Sequence, residues 1–307
     1  MPDLAFDTHY EQTLRPRLTA LQQRGRRWLS VFRILALGGW ALAIWILFTE
    51  SISPWWVVPL ALLVVATGLV VVGEVNGLRR VFRREVLGRL YALEFPEARH
   101  DPDGHLDQEA LARAGLFPSL FGEQRHELSD RLDCVLGDVA LSLCAAGVWV
   151  VGPREQNRPD ETLFVGTLFV AQAKLPLDEP VIVLCGESPV QPMPAGFALD
   201  RQQGVRPGHP VLDEGVRVLC STPEAARAAL PRPVVQALAD FVSRHRGPWR
   251  VVMDAHGLVG GVEGPLLADR LHPKRPVPDA EAVRAEIRRV QIVLDLVAAL
   301  TARTPTP

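Results

Sequence analysis

The segment His126-Glu127-Leu128-Ser129-Asp130 comes closest to a known catalytic pattern, the zinc-binding sequence His-Glu-x-x-His. An aspartate stands where that pattern requires its second histidine. Zinc needs at least three protein ligands held by rigid secondary structure. This segment precedes a predicted hairpin and does not lie within a helix. The sequence therefore favours a solvated polar turn at residues 126–130 over a metal site.

Acidic residues alternate in a second segment, at Asp101, Asp103 and Asp107. A calcium loop begins in this way, but it requires glycine at its sixth position and glutamate at its twelfth. Counted from Asp101, those positions hold Leu106 and Ala112. We predict instead a β-turn followed by a short helix that Asp107 caps.

The glycine-rich segment from Gly257 to Gly264 lacks the Lys-Ser/Thr pair of a phosphate-binding loop. Its glycines also do not fit the Gly-x-Gly-x-x-Gly pattern of dinucleotide-binding folds, so a strand with a bulge is the better interpretation. No Gly-x-Ser-x-Gly sequence occurs in the chain. The sequence therefore predicts no catalytic, cofactor-binding or metal-binding residue.

The cysteines and the net charge exclude further classes of protein. Cys134, Cys144, Cys185 and Cys220 lie far apart and form no Cys-x-x-Cys pair, which predicts reduced and mostly buried thiols. The 307-residue chain has a formal net charge of −2. Domains that coat nucleic acid are usually strongly basic, so no nucleic-acid partner is expected.

Two apolar runs near the N-terminus, Val31–Phe48 and Pro54–Gly73, are long enough to span a bilayer as helices. They are separated only by Thr49–Ser53, so they predict a transmembrane hairpin. This interpretation divides the chain into an amphipathic lead-in helix at residues 1–30, the hairpin at 31–73, and a cytosolic domain at 74–307. Within the lead-in helix, Leu14, Leu18 and Leu21 share a face.

Basic residues flank both apolar runs and are absent from the connecting loop. The excess of basic residues on cytoplasmic flanks predicts that both termini lie in the cytoplasm. Tryptophan and arginine at the ends of the runs then mark contacts with the lipid bilayer. The predicted membrane-interface residues are Trp28, Trp55, Trp56, Arg26, Arg27, Arg79, Arg80, Arg83 and Arg84.

The domain after the hairpin has the pattern of an α+β fold with an antiparallel sheet flanked by helices. Apolar strands flank Gly137-Asp138 and His256-Gly257, which predicts two tight hairpins. A final amphipathic helix is predicted from Asp279 to Ala302. Residues 187–213 are rich in proline and glycine with little periodicity, which predicts a long and poorly ordered loop.

The segment from Phe82 to Pro118 resembles the bacterial DUF3137 family, whose function is unknown. The shared features are a helix entering a Pro-acidic-Gly turn, a short helix that ends in Gly115-Leu116-Phe117, the hairpin around Cys134–Ala146, and Gly215–Leu230 with its Ala226-Arg227 pair. The resemblance covers nearly the whole chain. It implies an inner-membrane location and, as a partner, a small helical membrane protein of the LemA type.

The chain departs from that family at Leu141-Ser142-Leu143, where the family pattern is Phe-Ser-Glu. Two functions remain open on the sequence. The favoured one is a membrane-anchored, non-enzymatic module whose cytosolic domain binds a protein partner. The alternative is an enzyme or small-ligand sensor at the cytosolic face, and self-association is compatible with both.

Overall fold

The computed structural model describes residues 7–48, 57–116, 124–150, 161–186, 203–245, 247–264 and 277–302. The chain divides into two compact units. One contains residues 1–90 and 267–284, and the other contains residues 91–266 and 285–307. The first unit is helical, and the second contains all strands of the described ranges.

Two long helices dominate the first unit. A π-helical turn at Tyr10–Leu14 leads directly into α1, Arg15–Phe48. Helix α2 covers Val57–Val81 and continues through a π-helical segment at Phe82–Leu87 into α3, Gly88–Glu94. The predicted lead-in helix and the first apolar run therefore form one continuous helix.

The predicted transmembrane hairpin falls on α1 and α2, and the prediction that they span a membrane is wrong. Across the parts of the chain that the structure describes, no helix has both the length and the apolar character needed to cross a bilayer. The described part of each apolar run belongs to a longer helix that also carries charge. Six arginines lie in the first part of α1, and α2 continues through Glu74, Arg79 and Arg80. The prediction treated each run as separate from the charged segment with which it forms one helix.

The predicted inner-membrane location, with both termini in the cytoplasm, depended on these spans and is wrong with them. The predicted fold class is corrected to N-terminal helices followed by a large antiparallel sheet. The predicted connecting loop at residues 49–53 and the predicted interface residues Trp55 and Trp56 lie outside the described residues.

Packing within the first unit uses the predicted amphipathic face of the lead-in segment. Leu14 and Leu18 are buried, and Leu21 is half-buried. The fully buried Tyr10 donates a hydrogen bond from its hydroxyl to the carbonyl oxygen of Pro278, at 2.6 Å. This bond ties the start of the chain to the segment that precedes the last helix.

The second unit is built on one sheet of nine antiparallel strands with the spatial order β1-β2-β3-β4-β9-β8-β5-β7-β6. The strands are β1 Arg99–Asp101, β2 Gln124–Leu136, β3 Val139–Val150, β4 Glu161–Gln172, β5 Val181–Cys185, β6 Gln203–Val205, β7 Val216–Cys220, β8 Trp249–Asp254 and β9 Gly257–Glu263. Antiparallel neighbours joined by tight turns account for the two hairpins predicted from Gly137-Asp138 and His256-Gly257.

Among the described residues, five helices accompany the sheet. They are α4 Gln108–Ala114, α5 Pro210–Gly215, α6 Pro223–Ala229, α7 Arg232–Arg244 and α8 Ala280–Thr301. Helix α4 packs on β9, and α7 reaches β8 through an edge-to-face contact between Phe241 and Trp249. The predicted C-terminal helix from Asp279 to Ala302 is confirmed to within one residue at each end.

The main hydrophobic core lies between α4 and the central strands. Ala110 and Ala114 of α4 pack there with alternate residues of β3 and β4, including Ala146, Val148 and Leu168. Alternation follows from the two-residue period of a strand, which sends successive side chains to opposite faces. In β5 and β8 both faces are buried, and every residue of those strands except Arg250 and Asp254 is apolar.

Helix α4 begins and ends at the predicted residues. The Oδ1 atom of Asp107 accepts a hydrogen bond from the backbone N–H of Glu109 at 2.9 Å. Gly115 ends the helix in the left-handed conformation, with φ of 54°. Both features match the sequence preferences for helix ends, and both predictions are confirmed.

Part of the long loop predicted at residues 187–213 is instead regular secondary structure. Residues 187–202 lie outside the described residues, but Gln203–Val205 form strand β6 and Pro210 begins helix α5. The prediction missed β6 because a three-residue edge strand has too few positions to show a period.

The glycine-rich strand β9 has no bulge, contrary to the sequence interpretation, because its register with β4 and with β8 is continuous. Its glycines serve close packing. A Cβ atom on Gly260 would lie 2.6 Å from the Arg250 carbonyl oxygen and 2.7 Å from the Phe169 ring. The glycines that suggested a bulge are thus explained by neighbouring atoms that leave no room for a side chain.

Substitution of Gly260 by alanine should destabilise the sheet, because the added methyl group must displace the backbone of β8 or the ring of Phe169. We expect the free energy of unfolding to fall by about 2–3 kcal/mol in urea denaturation. Gly204→Ala is the matched control, since a Cβ atom there meets nothing within 4 Å. Equal stability of the two variants would contradict this packing.

Candidate functional site

An open cleft of about 900 Å³ lies at one end of the sheet, within the second unit. Strands β3, β4 and β9 meet it through the turns that precede or follow them, and α4 forms one wall. Its apolar floor includes Val139, Val170 and Leu258. Its polar side chains are Asp107, Arg113, Asp138, Gln172, Lys174, His256 and Thr301. We call this the strand-end cleft.

Lys174 and His256, on the rim of the cleft, lie on neighbouring turns. Lys174 lies two residues after β4, and His256 lies one residue before β9. The register of β4 with β9 places Gln172 opposite Gly257, so these two turns are neighbours. Lys174 and His256 are exposed, which leaves both side chains available to a ligand.

Asp254 organises the turn that carries His256. Its Oδ1 atom accepts hydrogen bonds from the backbone N–H groups of His256 at 2.8 Å and Gly257 at 3.1 Å. Its Oδ2 atom accepts a hydrogen bond from the Nε of Arg113 at 3.2 Å. Gly257 has φ of 139°, and a Cβ atom there would lie 2.1 Å from the Ala171 carbonyl oxygen, so only glycine fits this turn.

The charges of the strand-end cleft are separated along its length. The acidic Asp107 and Asp138 lie on the β3 side, because Asp138 precedes β3 and Asp107 also lines a second pocket beside Ser142. The basic Arg113 and His256 lie on the β9 side, where Arg113 pairs with Asp254. The cleft therefore has an acidic end on the β3 side and, at the other end, the neighbouring turns of Lys174 and His256, where Asp254 offsets the charge of Arg113.

The second pocket, of about 230 Å³, shares Asp107, Val170 and Gln172 with the cleft. Arg131 holds its wall in place by donating to the carboxylate of Asp133 at 2.8 Å and to the His105 carbonyl oxygen at 3.1 Å. The pocket extends the cleft along the strand ends towards β2.

Ser142, the one residue kept from the family pattern Phe-Ser-Glu, belongs to the same network. Its hydroxyl donates to the Asp133 carboxylate at 2.5 Å. Leu143 stands where the resemblance expects glutamate, and its side chain is buried. The residue at this position in the chain therefore serves the core rather than a polar site.

The segment His126–Asp130, predicted as a solvated turn, lies instead in the 13-residue strand β2. Ser129 and Asp130 are buried, next to a shift in the β2–β3 register. Asp130 has a left-handed backbone with φ of 58°, which is uncommon for a residue other than glycine. Neither the burial nor the strain was predicted from the sequence.

Asp130 is the centre of a buried polar cluster. Its Oδ2 atom accepts a hydrogen bond from the Ser129 hydroxyl at 3.3 Å, and its Oδ1 atom lies 3.6 Å from the Nε2 of His100. The His100 ring contacts Tyr91 edge-on at 5.0 Å between centroids. Sequence reasoning missed this cluster because His100 and Asp130 are joined only by the pairing of β1 with β2. We interpret it as a tie between these strands.

The four cysteines are reduced, as predicted, and three are buried. Burial raises the pKa of the Cys144 thiol to about 12 and that of the Cys134 thiol to about 11, the latter with a contribution from Asp133. Burial likewise raises the pKa values of Cys185 and Cys220. A cysteine nucleophile needs the opposite shift.

The remaining predicted site residues lie on the helices of the first unit. Arg26 and Arg27 are exposed and Trp28 is half-buried on α1. Arg79 and Arg80 lie near the end of α2, and Arg83 and Arg84 follow in the π-helical segment. Their predicted role at a membrane interface depended on neighbouring membrane spans, and no helix of the described residues could form such a span.

Acidic, histidine and cysteine side chains of the described residues do not gather into a metal site. In the described ranges, no group of three or more of these residues is placed to hold a metal ion. This holds for Asp101, Asp103 and Asp107, of which Asp107 caps α4 and Asp101 accepts a hydrogen bond from the backbone of Asp103.

Comparison with family models, with curated proteins and with solved structures finds no match to this chain. The resemblance to the DUF3137 family therefore stays a prediction. The geometry of the strand-end cleft is the remaining guide to function.

Substitution of Asp130 by alanine should lower the free energy of unfolding by about 2–4 kcal/mol, because Ser129 and His100 lose a buried partner and alanine tolerates the left-handed backbone poorly. Asp138→Ala, at an exposed turn, should change it by less than about 0.5 kcal/mol. Urea denaturation measures both. If Asp130→Ala lowered the free energy of unfolding no more than Asp138→Ala, the cluster would not tie β1 to β2.

Thiol titration at pH 8 tests the burial of the cysteines. A thiol reacts as its thiolate, so raised pKa values predict slow modification of the native protein, first at the half-exposed Cys134. All four thiols should react at once in guanidinium chloride, and Cys134→Ser should remove the first native phase. Rapid modification of two or more thiols in the native protein would contradict these environments.

Proposed function

We propose that this protein is a non-enzymatic binding module whose strand-end cleft receives an extended segment of a protein partner. The observation that carries the proposal is the separation of polar groups along the exposed rim, with Asp107 and Asp138 at one end and the neighbouring turns of Lys174 and His256 at the other. Such an arrangement selects the direction in which a charged segment lies.

Exposure of the polar rim favours a protein segment over a small molecule. Asp107, Asp138, Lys174 and His256 are all exposed, and the cleft is open along one side. Small-molecule sites usually enclose most of the ligand surface, whereas protein interfaces combine an apolar centre with a polar, solvent-accessible rim. Val139 and Val170, each 9% exposed, line the cleft and supply a narrow apolar centre of this kind.

The sheet gives the spacing that the partner must match. Asp138 precedes β3 and His256 precedes β9, and β4 lies between these two strands. Two strand spacings amount to roughly 10 Å, which an extended chain covers in about three residues. The partner segment is therefore expected to carry a basic and an acidic side chain about three residues apart, flanking an apolar one.

A small-ligand sensor is the second candidate, because a cleft of about 900 Å³ lies within the range of small-molecule sites. It requires a ligand that binds to the protein without any other macromolecule. Saturable binding of a small dipolar compound, lost on substitution of Lys174, would favour this candidate over the protein segment.

Site-specific photocrosslinking tests the proposal first. A photoreactive amino acid at Lys174 should link the full-length chain to one partner protein in cells, and mass spectrometry should place the link in an extended segment with the charge spacing given above. The same amino acid at Gln236, exposed on α7, is the control. Equal labelling from both positions would contradict a partner site in the cleft.

A charge exchange tests the polarity of the cleft. The double variant Asp138→Lys with Lys174→Asp keeps the net charge but reverses two charges of the rim, and we expect it to weaken binding of the crosslinked partner at least tenfold. Exchange of Glu224 and Arg227, an exposed ion pair on α6, is the matched control and should leave affinity unchanged. Unchanged affinity in the cleft variant would exclude the cleft as the binding site.

A further inference from the structure

The first unit exposes a regular stripe of aliphatic side chains on α2. Val58, Leu62, Val65, Leu69 and Val72 are each more than half exposed, with Leu69 at 68%. Their spacing alternates between four and three residues. This is the repeat that puts side chains on one face of a helix and forms the seam of packed helix pairs.

Helix α1 adds three more exposed aliphatic residues. Val31, Ile34 and Leu37 follow one another at intervals of three, and Ile34 and Leu37 are 69% and 72% exposed. No charged residue lies between Val31 and Leu37 except Arg33. The two helices of the unit therefore both present apolar surface to solvent.

The contact between α1 and α2 does not use this stripe. The helices pack against each other, and the Phe32 ring lies beside Gly68, where a Cβ atom would meet it at 3.4 Å. Phe32 and Gly68 are both half-buried, in contrast to their exposed neighbours in the stripe. The apolar stripe is thus additional to what the helix pair needs for its own packing.

The exposed aliphatic residues of α1 and α2 together match the area of a protein interface. A valine or leucine side chain exposed to this degree offers on the order of 100 Å² of apolar surface, so the eight residues offer about 800 Å², which is what one partner contributes to an interface of standard size. A typical monomer exposes no more than a few hundred Å² in its largest apolar patch, so this much exposed aliphatic surface on one helix pair marks an interaction surface.

We propose that a second copy of this chain covers the stripe, so that α1 and α2 of two copies form a four-helix arrangement. The stripe is uninterrupted by charge on α2 from Val58 to Val72, so a second copy can pack on it there without burying a charged side chain. A two-fold axis brings the same surface of both copies together, and aliphatic side chains at this spacing interdigitate between helices. This inference concerns the first unit and does not depend on the cleft.

Sedimentation of the full-length chain tests the proposal. The unaltered protein should be a dimer at micromolar concentration, and the double variant Leu62→Lys with Leu69→Lys should associate at least a hundredfold more weakly. Val135→Lys is the matched control, because Val135 is 69% exposed on β2 in the second unit. A monomeric unaltered chain at every concentration tested would overturn the proposal.

Disulfide crosslinking provides a measurement that does not require a charged variant to fold. In a Cys134→Ser background, Val65→Cys should give a covalent dimer on mild oxidation, and Val135→Cys should not. Equal crosslinking at both positions would contradict the proposal. Insertion of the chain as a monomer into phosphatidylcholine vesicles, with no crosslink at Val65→Cys, would also overturn it, because lipid would then cover the stripe.

Discussion

The pairing of β4 with β9 is the constraint on which both the sheet and the strand-end cleft depend. Strands β1 to β4 form one half of the sheet, and β9, β8, β5, β7 and β6 form the other. Only this pairing joins the halves in the sheet as described. The same register sets Gln172 opposite Gly257, which brings the turns of Lys174 and His256 side by side. A shift of one residue would move every side chain of a strand to the opposite face and would dismantle the rim.

Close packing around this pairing explains why it tolerates so little change. Gly166, Gly260 and Gly261 leave room for the Phe164 and Phe169 rings, which fill the space that side chains on these strands would occupy. The buried Arg250 lies with its guanidinium over the Phe164 ring, at 5.4 Å, and forms an ion pair with Glu263. Burial lowers the pKa of Arg250, and the hydrogen bond to Glu263 opposes that shift. The ion pair with Glu263 thus stabilises a guanidinium charge that burial disfavours.

Local features of the sequence predicted local structure well. Asp107 and Gly115 marked the ends of α4, and the pairs Gly137-Asp138 and His256-Gly257 marked two hairpins, because capping and turn preferences act over a few residues. The cleft could not be predicted in this way. Its residues come from three turns at strand ends, from helix α4 and from the end of helix α8, which meet only through the order of the strands.

The wrong predictions likewise concern features that a short stretch of sequence does not determine. Asp130 was placed in a solvated turn because its polar neighbours suggested exposure, whereas pairing of β1 with β2 buries it beside His100. The glycines of β9 suggested a bulge, whereas neighbouring rings account for them. The apolar runs at residues 31–48 and 54–73 suggested membrane spans, but the composition of a run does not show what the whole helix contains.

Amide hydrogen exchange of the full-length chain, followed by mass spectrometry, tests most directly whether the β4–β9 pairing unites the sheet and supports the cleft. We expect peptides from β4 and β9 to exchange last and together, with the same free energy of opening as β3 and β8, because the two halves unfold as one unit. Exchange of β9 and β8 while β3 and β4 remain protected would show that the halves open separately. That result would contradict a cleft held by this pairing.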